Sequence, residues 1–137
     1  MYSRILVPLE NSSYDQTILT YVRELARHHG SALVLIHVAD GWAARNIKQL
    51  EEMREDRAYL ERASAALRGD GFEADAVLAA GDTATEIAEA ATRERCDLIA
   101  MATHGHRGLN DVVRGSVASE LRHKTFVPVL MVRAQPK

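Results

Sequence analysis

Apolar residues along this chain gather in short unbroken runs, each followed by a longer stretch of helical periodicity. Ile5-Leu6-Val7-Pro8-Leu9 is the first run and reads as a buried strand. Ser12 or Ser13 then offers an N-cap for a helix over Tyr14–His29. That helix carries Ile18, Tyr21, Val22, Leu25 and Ala26 on one face and stops at Gly30. Ser31–Val38 is a second apolar run, and Asp40-Gly41-Trp42 opens a turn. A long charged helix is predicted over Asn46–Arg68, with Ile47, Leu50, Met53, Leu60, Ala63 and Leu67 as its stripe. Phe72–Ala80 reads as a less buried strand. Gly81-Asp82-Thr83 is a turn and cap, and Ala84–Arg95 a helix with Ile87, Ala88 and Ala91 inward. Leu98–Met101 is a fourth strand, Ala102–Gly115 a loop, Val117–Arg122 a short helix and Val127–Val132 a last strand before the tail Ala134–Lys137.

Near-continuous apolar strands alternating with helices imply a parallel sheet covered on both faces. With right-handed crossovers the expected fold is a doubly wound, Rossmann-like α/β sheet of five strands in the order 3-2-1-4-5. Ligands of such sheets sit at the carboxyl ends of the strands where the order reverses. Here that is between the first and fourth strands, so Pro8–Asn11 and Ala102–Gly105 are expected to meet. The last strand is an edge in this order. Its apolar sequence is a liability in a monomer, which an antiparallel pairing with a second copy would cover.

The totals narrow the reading. A length of 137 residues fits one domain spanning 1–137, and no repeat or low-complexity segment divides it. Aromatic residues make up 5% against 47% apolar overall, so the core must be aliphatic. A net charge of −2 argues against generic nucleic-acid binding. No apolar run reaches membrane-spanning length and the first residues lack a signal peptide, so a cytoplasmic protein without membrane insertion is expected. Cys96 has no partner for a disulfide or a thiolate zinc site, and its place beside a buried strand suits an inert core thiol.

The stretch Leu98–Ser116 carries the candidate chemistry. A strand that runs through a glycine-punctuated loop into a helix N-terminus presents free N–H groups and partial positive charge to an anion. Gly105, Gly108 and Gly115 leave room for a phosphate, Ser116 adds a hydroxyl, and His104, His106, Arg107 and Arg114 line the rim. An ordinary surface loop has much the same composition. Two histidines at i, i+2 without a third ligand make a poor metal site. His37 inside a strand reads as a satisfied structural histidine. Thr103-His104-Gly105-His106 also fits a nucleotidylyltransferase motif, but follows the fourth strand instead of the first. No Walker A loop, no dinucleotide fingerprint after the first strand and no nucleophile elbow is present. The third strand ends Ala79-Ala80-Gly81, without a phosphoacceptor Asp.

The loop resembles that of the universal stress protein family, whose ATP-binding members carry Gly, two residues, Gly, nine residues, then Gly and Ser or Thr. Gly105, Gly115 and Ser116 match in register, with Ala102 at the first position. Ile5–Leu9, Gly81-Asp82-Thr83-Ala84 with Ile87, Asp97–Met101 and Pro128–Val132 extend the resemblance over essentially the whole chain. It implies adenine against the ends of the first two strands, near Pro8, Leu9, Glu10 and the Val38 backbone. It runs the phosphates onto Gly105, Gly108, Gly115, Ser116 and the Val117 N–H, and Met101, Ala102, His104, Arg107 and Arg114 complete the expected nucleotide site. Glu10 stands where the family has Asp, and Asn11 where it often has Gly. The implied ligand is ATP, or AMP or ADP, with Mg²⁺ or Mn²⁺ held through the phosphates. The implied role is a stress-response sensor or adaptor, homodimeric through Val127–Val132, with a protein partner and at most weak ATP hydrolysis. The alternatives are a protein-interaction module of the same family that holds no nucleotide, or a slow ATPase.

Overall fold

In the computed structural model, which describes residues 1–39, 47–103 and 117–134, the expected sheet is present. The elements are β1 (Arg4–Pro8), α1 (Asp15–His29), β2 (Ala32–Ala39), α2 (Ile47–Gly69), β3 (Ala74–Ala80), α3 (Thr83–Arg93) and β4 (Leu98–Thr103). A helix over residues 117–124, α4, and β5 (Val129–Arg133) complete them. The five strands are ordered β3-β2-β1-β4-β5, and every pairing is parallel. The predicted turn at Asp40-Gly41-Trp42 lies outside the described residues, as do the loop residues 104–116 and the tail beyond Ala134.

Side-chain alternation along the strands divides the core in two. Ile5, Val7, Leu33, Leu35, Leu98 and Ala100 face Ile18 and Val22 of α1 and Leu60 and Leu67 of α2. Leu6, Val34, Ile36, Ile99 and Met101 face Ile87 and Ala91 of α3 and Val117 and Leu121 of α4. Right-handed crossovers require this division, because the chain moves leftward through β1, β2 and β3 and rightward from β3 to β4 and β5. No described helix is long and apolar enough to cross a membrane.

Several local expectations shift. Gly30 does cap α1 in the left-handed conformation, at φ 67°. The α1 N-cap, however, is Tyr14, without a side-chain cap bond. Ser12 meets the Tyr14 N–H through its hydroxyl and the Asp15 N–H through its carbonyl. Asp82 caps α3, accepting from the Thr85 N–H at 3.1 Å and the Thr85 hydroxyl at 2.7 Å. Leu50 is 45% exposed and Tyr21 44%, so neither belongs to the stripe that buries its helix. In α2 the expected Met53, Leu60, Ala63 and Leu67 do face inward, joined by Asp56, Tyr59 and Ser64. Cys96 is buried, and that burial pushes its thiol up to about 11, leaving it protonated and inert.

Asp97 fastens the start of β1 to the start of β4. Its carboxylate accepts from the Ser3 N–H at 2.9 Å and the Arg4 N–H at 3.1 Å, while the Asp97 N–H donates to the Arg4 carbonyl. Partial burial pushes this carboxyl upward, but the backbone donors outweigh it and hold it below the usual carboxylate range. A folded-state pKa below the unfolded one stabilises the fold above the unfolded value. That contribution disappears as pH falls through the depressed one. The Asp97→Asn variant is therefore expected to be less stable than the parent at neutral pH. It should also lose less stability on acidification below about pH 4, measured as urea midpoints across the pH range.

Candidate functional site

The reversal of strand order leaves a gap at the carboxyl ends of β1 and β4. β1 stays in register with β2 to its last residue, Pro8 opposite Ile36. β4 stays in register with β5 to Thr103 opposite Arg133. Between β1 and β4 the register covers Ile5 opposite Leu98 and Leu6 opposite Ile99, and stops there. Pro8 supplies a reason. Ser3 and Leu9 exchange hydrogen bonds with β2, whereas the Arg4 carbonyl serves Asp97 on the β4 side. Alternation therefore turns residue 8 toward β4, and a proline has no N–H for the next rung. The β1–β4 ladder therefore ends at Leu6, with Pro8 and Leu9 beyond it on one strand and Met101 and Ala102 on the other.

The same alternation defines the Val38 backbone. Leu33 and Ala39 bond to the β3 side, through the Glu73 carbonyl and the Gly81 N–H. Ile36 bonds to the β1 side, accepting from the Leu9 N–H at 2.8 Å. Val38 thus turns its N–H and carbonyl toward β1 at a level where β1 has ended. The Asn11 N–H, which would continue the ladder, goes to Asp15. The Val38 side chain packs in the α3-facing core. What the site receives from this residue is one donor and one acceptor, side by side.

The chain leaving β1 is held by a buried acid. Asp15 is 1% exposed. Its carboxylate accepts from the N–H groups of Glu10 at 3.0 Å, Asn11 at 2.9 Å and Ser12 at 3.3 Å, and from the Tyr59 hydroxyl of α2 at 2.6 Å. Burial, with the neighbouring Asp15 carboxylate, raises the Tyr59 phenol well above its ordinary value, so it remains a donor. Asn11 adopts φ 65°, the left-handed region that asparagine tolerates better than most residues, so it serves where glycine would otherwise be needed. Its side-chain amide donates to Asp56 of α2 at 3.0 Å. The other Asp56 oxygen meets His37 Nε2 at 3.2 Å, and His37 Nδ1 lies 2.8 Å from the Leu9 carbonyl.

Of the residues singled out from sequence, Pro8, Leu9, Glu10, Val38, Met101, Ala102 and Val117 are described. The first six come together at the ends of β1, β2 and β4. Leu9, Met101 and Ala102 are buried, and Met101 packs in the α3-facing core with Val117, so their contribution to a ligand would be main-chain. His104, Gly105, Arg107, Gly108, Arg114, Gly115 and Ser116 lie outside the described residues. Among the described residues no His, Cys, Asp and Glu side chains cluster as a metal site. A groove of about 530 Å³ between α1 and α2, lined by Leu19, Arg23, Arg62 and Ala63, lies away from the strand ends.

Asp15, Asp56, Tyr59 and the role of His37 escaped the sequence reading. A signal was there. Asp15 falls three residues before Ile18, and Asp56 three after Met53 and four before Leu60, each on its helix's buried stripe. A carboxylate on an apolar stripe requires buried donors nearby.

The sequence profile described as the universal stress protein family matches residues 1–133. The chain belongs to that family. A universal stress protein of Thermus aquaticus is 31% identical, over 97% of this chain and 100% of that protein. Universal stress protein MJ0577 of Methanocaldococcus jannaschii is 27% identical over 97% of this chain and 96% of its own. The solved MJ0577 structure superposes with a TM-score of 0.83 at 26% identity, covering 100% of this chain and 99% of that one. The universal stress protein from Archaeoglobus fulgidus solved in complex with dAMP shares the fold, with a TM-score of 0.72 at 22% identity over 95% and 97% of the two chains.

In this universal stress protein, removing the Asp15 carboxylate leaves three backbone donors and the Tyr59 hydroxyl facing a void. Asp15→Ala is expected to cost about 1–3 kcal/mol or more in urea unfolding, and Tyr59→Phe about 1 kcal/mol. An Asp15→Ala cost no larger than that of a substitution at exposed Glu24 would contradict this account of the turn.

Proposed function

We propose that this universal stress protein binds an adenine nucleotide at the carboxyl ends of β1, β2 and β4. It would act as a cytoplasmic, dimeric sensor or adaptor in the stress response. The observation that carries the reading is the Val38 main chain, whose N–H and carbonyl face the space beyond the end of β1. An adjacent donor and acceptor match the acceptor and amino group on one edge of adenine. The end of the β1–β4 pairing at Leu6 falls where doubly wound sheets hold their ligands, which supports the same location. The dAMP complex of the Archaeoglobus fulgidus relative supports the ligand class. Asn11 in the left-handed conformation also weighs against reading its departure from glycine as a loss.

In the proposed pose Glu10 reaches the ribose hydroxyls. The phosphates run along Ala102 toward Gly105, Gly108, Gly115 and Ser116 and the Val117 N–H, with His104, Arg107 and Arg114 around them. A divalent cation, Mg²⁺ or Mn²⁺, would be held through the phosphates. Calorimetric titration with ATP and then AMP, with and without Mg²⁺, tests the reading. Micromolar ATP binding lost in Gly115→Asp is the expected result. No heat and no shift in unfolding temperature at millimolar ATP would overturn it and favour the interaction-module alternative.

Dimerisation through residues 127–132 belongs to the same proposal. β5 is the last strand of the described sheet, Met131 is 50% exposed, and the preceding Phe126 is fully exposed. An apolar strand edge of this kind invites pairing with its own copy. Sedimentation is expected to show a dimer that Met131→Arg weakens. A monomer at high micromolar concentration would contradict it.

A further inference from the structure

The polar contacts behind the β1–α1 turn form a ring. The Leu9 carbonyl faces His37 Nδ1 at 2.8 Å. His37 Nε2 faces one Asp56 oxygen at 3.2 Å, and the other Asp56 oxygen accepts from the Asn11 side chain at 3.0 Å. Two residues of backbone lead from Asn11 back to Leu9. His37 and Asp56 side chains are each 17% exposed, so water competes poorly for the contact between them. Both ring nitrogens point at acceptors. A carbonyl and a carboxylate can each only accept, so the ring is complete when the imidazole carries a proton on both nitrogens. A neutral imidazole has one N–H. It would leave either the Leu9 carbonyl or Asp56 facing a lone pair.

We propose that His37 and Asp56 are positioning residues that clamp the Leu9–Asn11 turn, and that the clamp closes when His37 is doubly protonated. The turn carries Glu10, and the next residue of β2 is Val38. A change in the hold on the Leu9 carbonyl therefore reaches both proposed contacts to the nucleoside. Its effect on ligand rests on the nucleotide reading above; the clamp itself does not. Among the described residues, the charged or titratable groups around His37 are few. α2 brings Asp56, with Glu52 one turn before it and Tyr59 one turn after. The turn and α1 bring Glu10 and Asp15, whose carboxylate is occupied by Tyr59 and the turn amides. β3 places uncharged Leu78 opposite His37.

The test is NMR titration of the labelled full chain between about pH 5.5 and 8, the range in which histidines change charge, followed by adenosine binding at both ends of it. At low pH both His37 ring nitrogens are expected to show protonated shifts. As pH rises, the Glu10 and Asn11 amide resonances should move with the midpoint of the ring, and adenosine affinity should fall about three- to tenfold. In His37→Gln and in Asp56→Asn the amide step and the pH dependence of affinity should vanish. Effects of Glu10, Asp15 or Glu52 titrating would survive both substitutions, and either variant suffices if the other does not fold. Amides that stay fixed while the ring titrates, or move equally in the variants, would overturn the clamp. Failure of adenosine to bind at any pH would overturn the nucleotide reading instead, and the amide step in the free protein would still decide the clamp.

Discussion

The end of the β1–β4 ladder at Leu6 is the constraint on which the candidate site depends. A parallel sheet satisfies its backbone by pairing each strand on both edges, and β1, at the centre, has β2 on one side and β4 on the other. The chain reaches these neighbours by crossovers running in opposite directions, α1 packing on one face of the sheet and α4 on the other. Pro8 ends the pairing by withholding the next N–H from the β4 side. The result is main chain at the carboxyl ends of β1 and β2 whose donors and acceptors are released from the ladder. Val38 contributes through the same geometry, since β2 outlasts β1 at its carboxyl end.

A crevice made of released backbone needs a rigid rim, and the rim here is polar. Asp15 replaces the missing partners of Glu10 and Asn11, and α2 reaches over with Tyr59 and Asp56 to hold the same turn. The amino end of the sheet uses the same device, where Asp97 collects the N–H groups of Ser3 and Arg4. Buried or half-buried carboxylates that gather backbone donors thus fasten both ends of β1. The apolar layers on the two faces supply the bulk of the burial.

Strand order and helix placement were legible because each follows from a pattern that tolerates local error. Continuous apolar runs such as Ser31–Val38 can hardly be anything but buried strands, and the crossover rule then leaves few arrangements. The capping of α3 by Asp82 was legible for the same reason. The rim was not. Asp15 and Asp56 look like ordinary surface acids until the stripe of each helix is fixed, and an apolar stripe through Met53, Leu60, Ala63 and Leu67 passes over the polar Asp56, Tyr59 and Ser64 that share its face. Helix phase decides between these readings. In a helix as charged as α2, phase is set by what it packs against more than by its own sequence. The Val38 main-chain contribution was expected through family resemblance; its physical cause, the unequal lengths of β1 and β2, needed the register.

The central claim is that ligand binding uses backbone released at the ends of β1, β2 and β4. The most direct measurement is the perturbation of assigned backbone amide resonances as AMP is added. The account predicts that the largest shifts fall on Val38, Glu10 and Ala102, and that amides at the opposite end of the sheet, such as Ser3 and Gly71, stay unmoved. Shifts concentrated in the α1–α2 groove around Thr20 and Arg62, with Val38 unaffected, would contradict it.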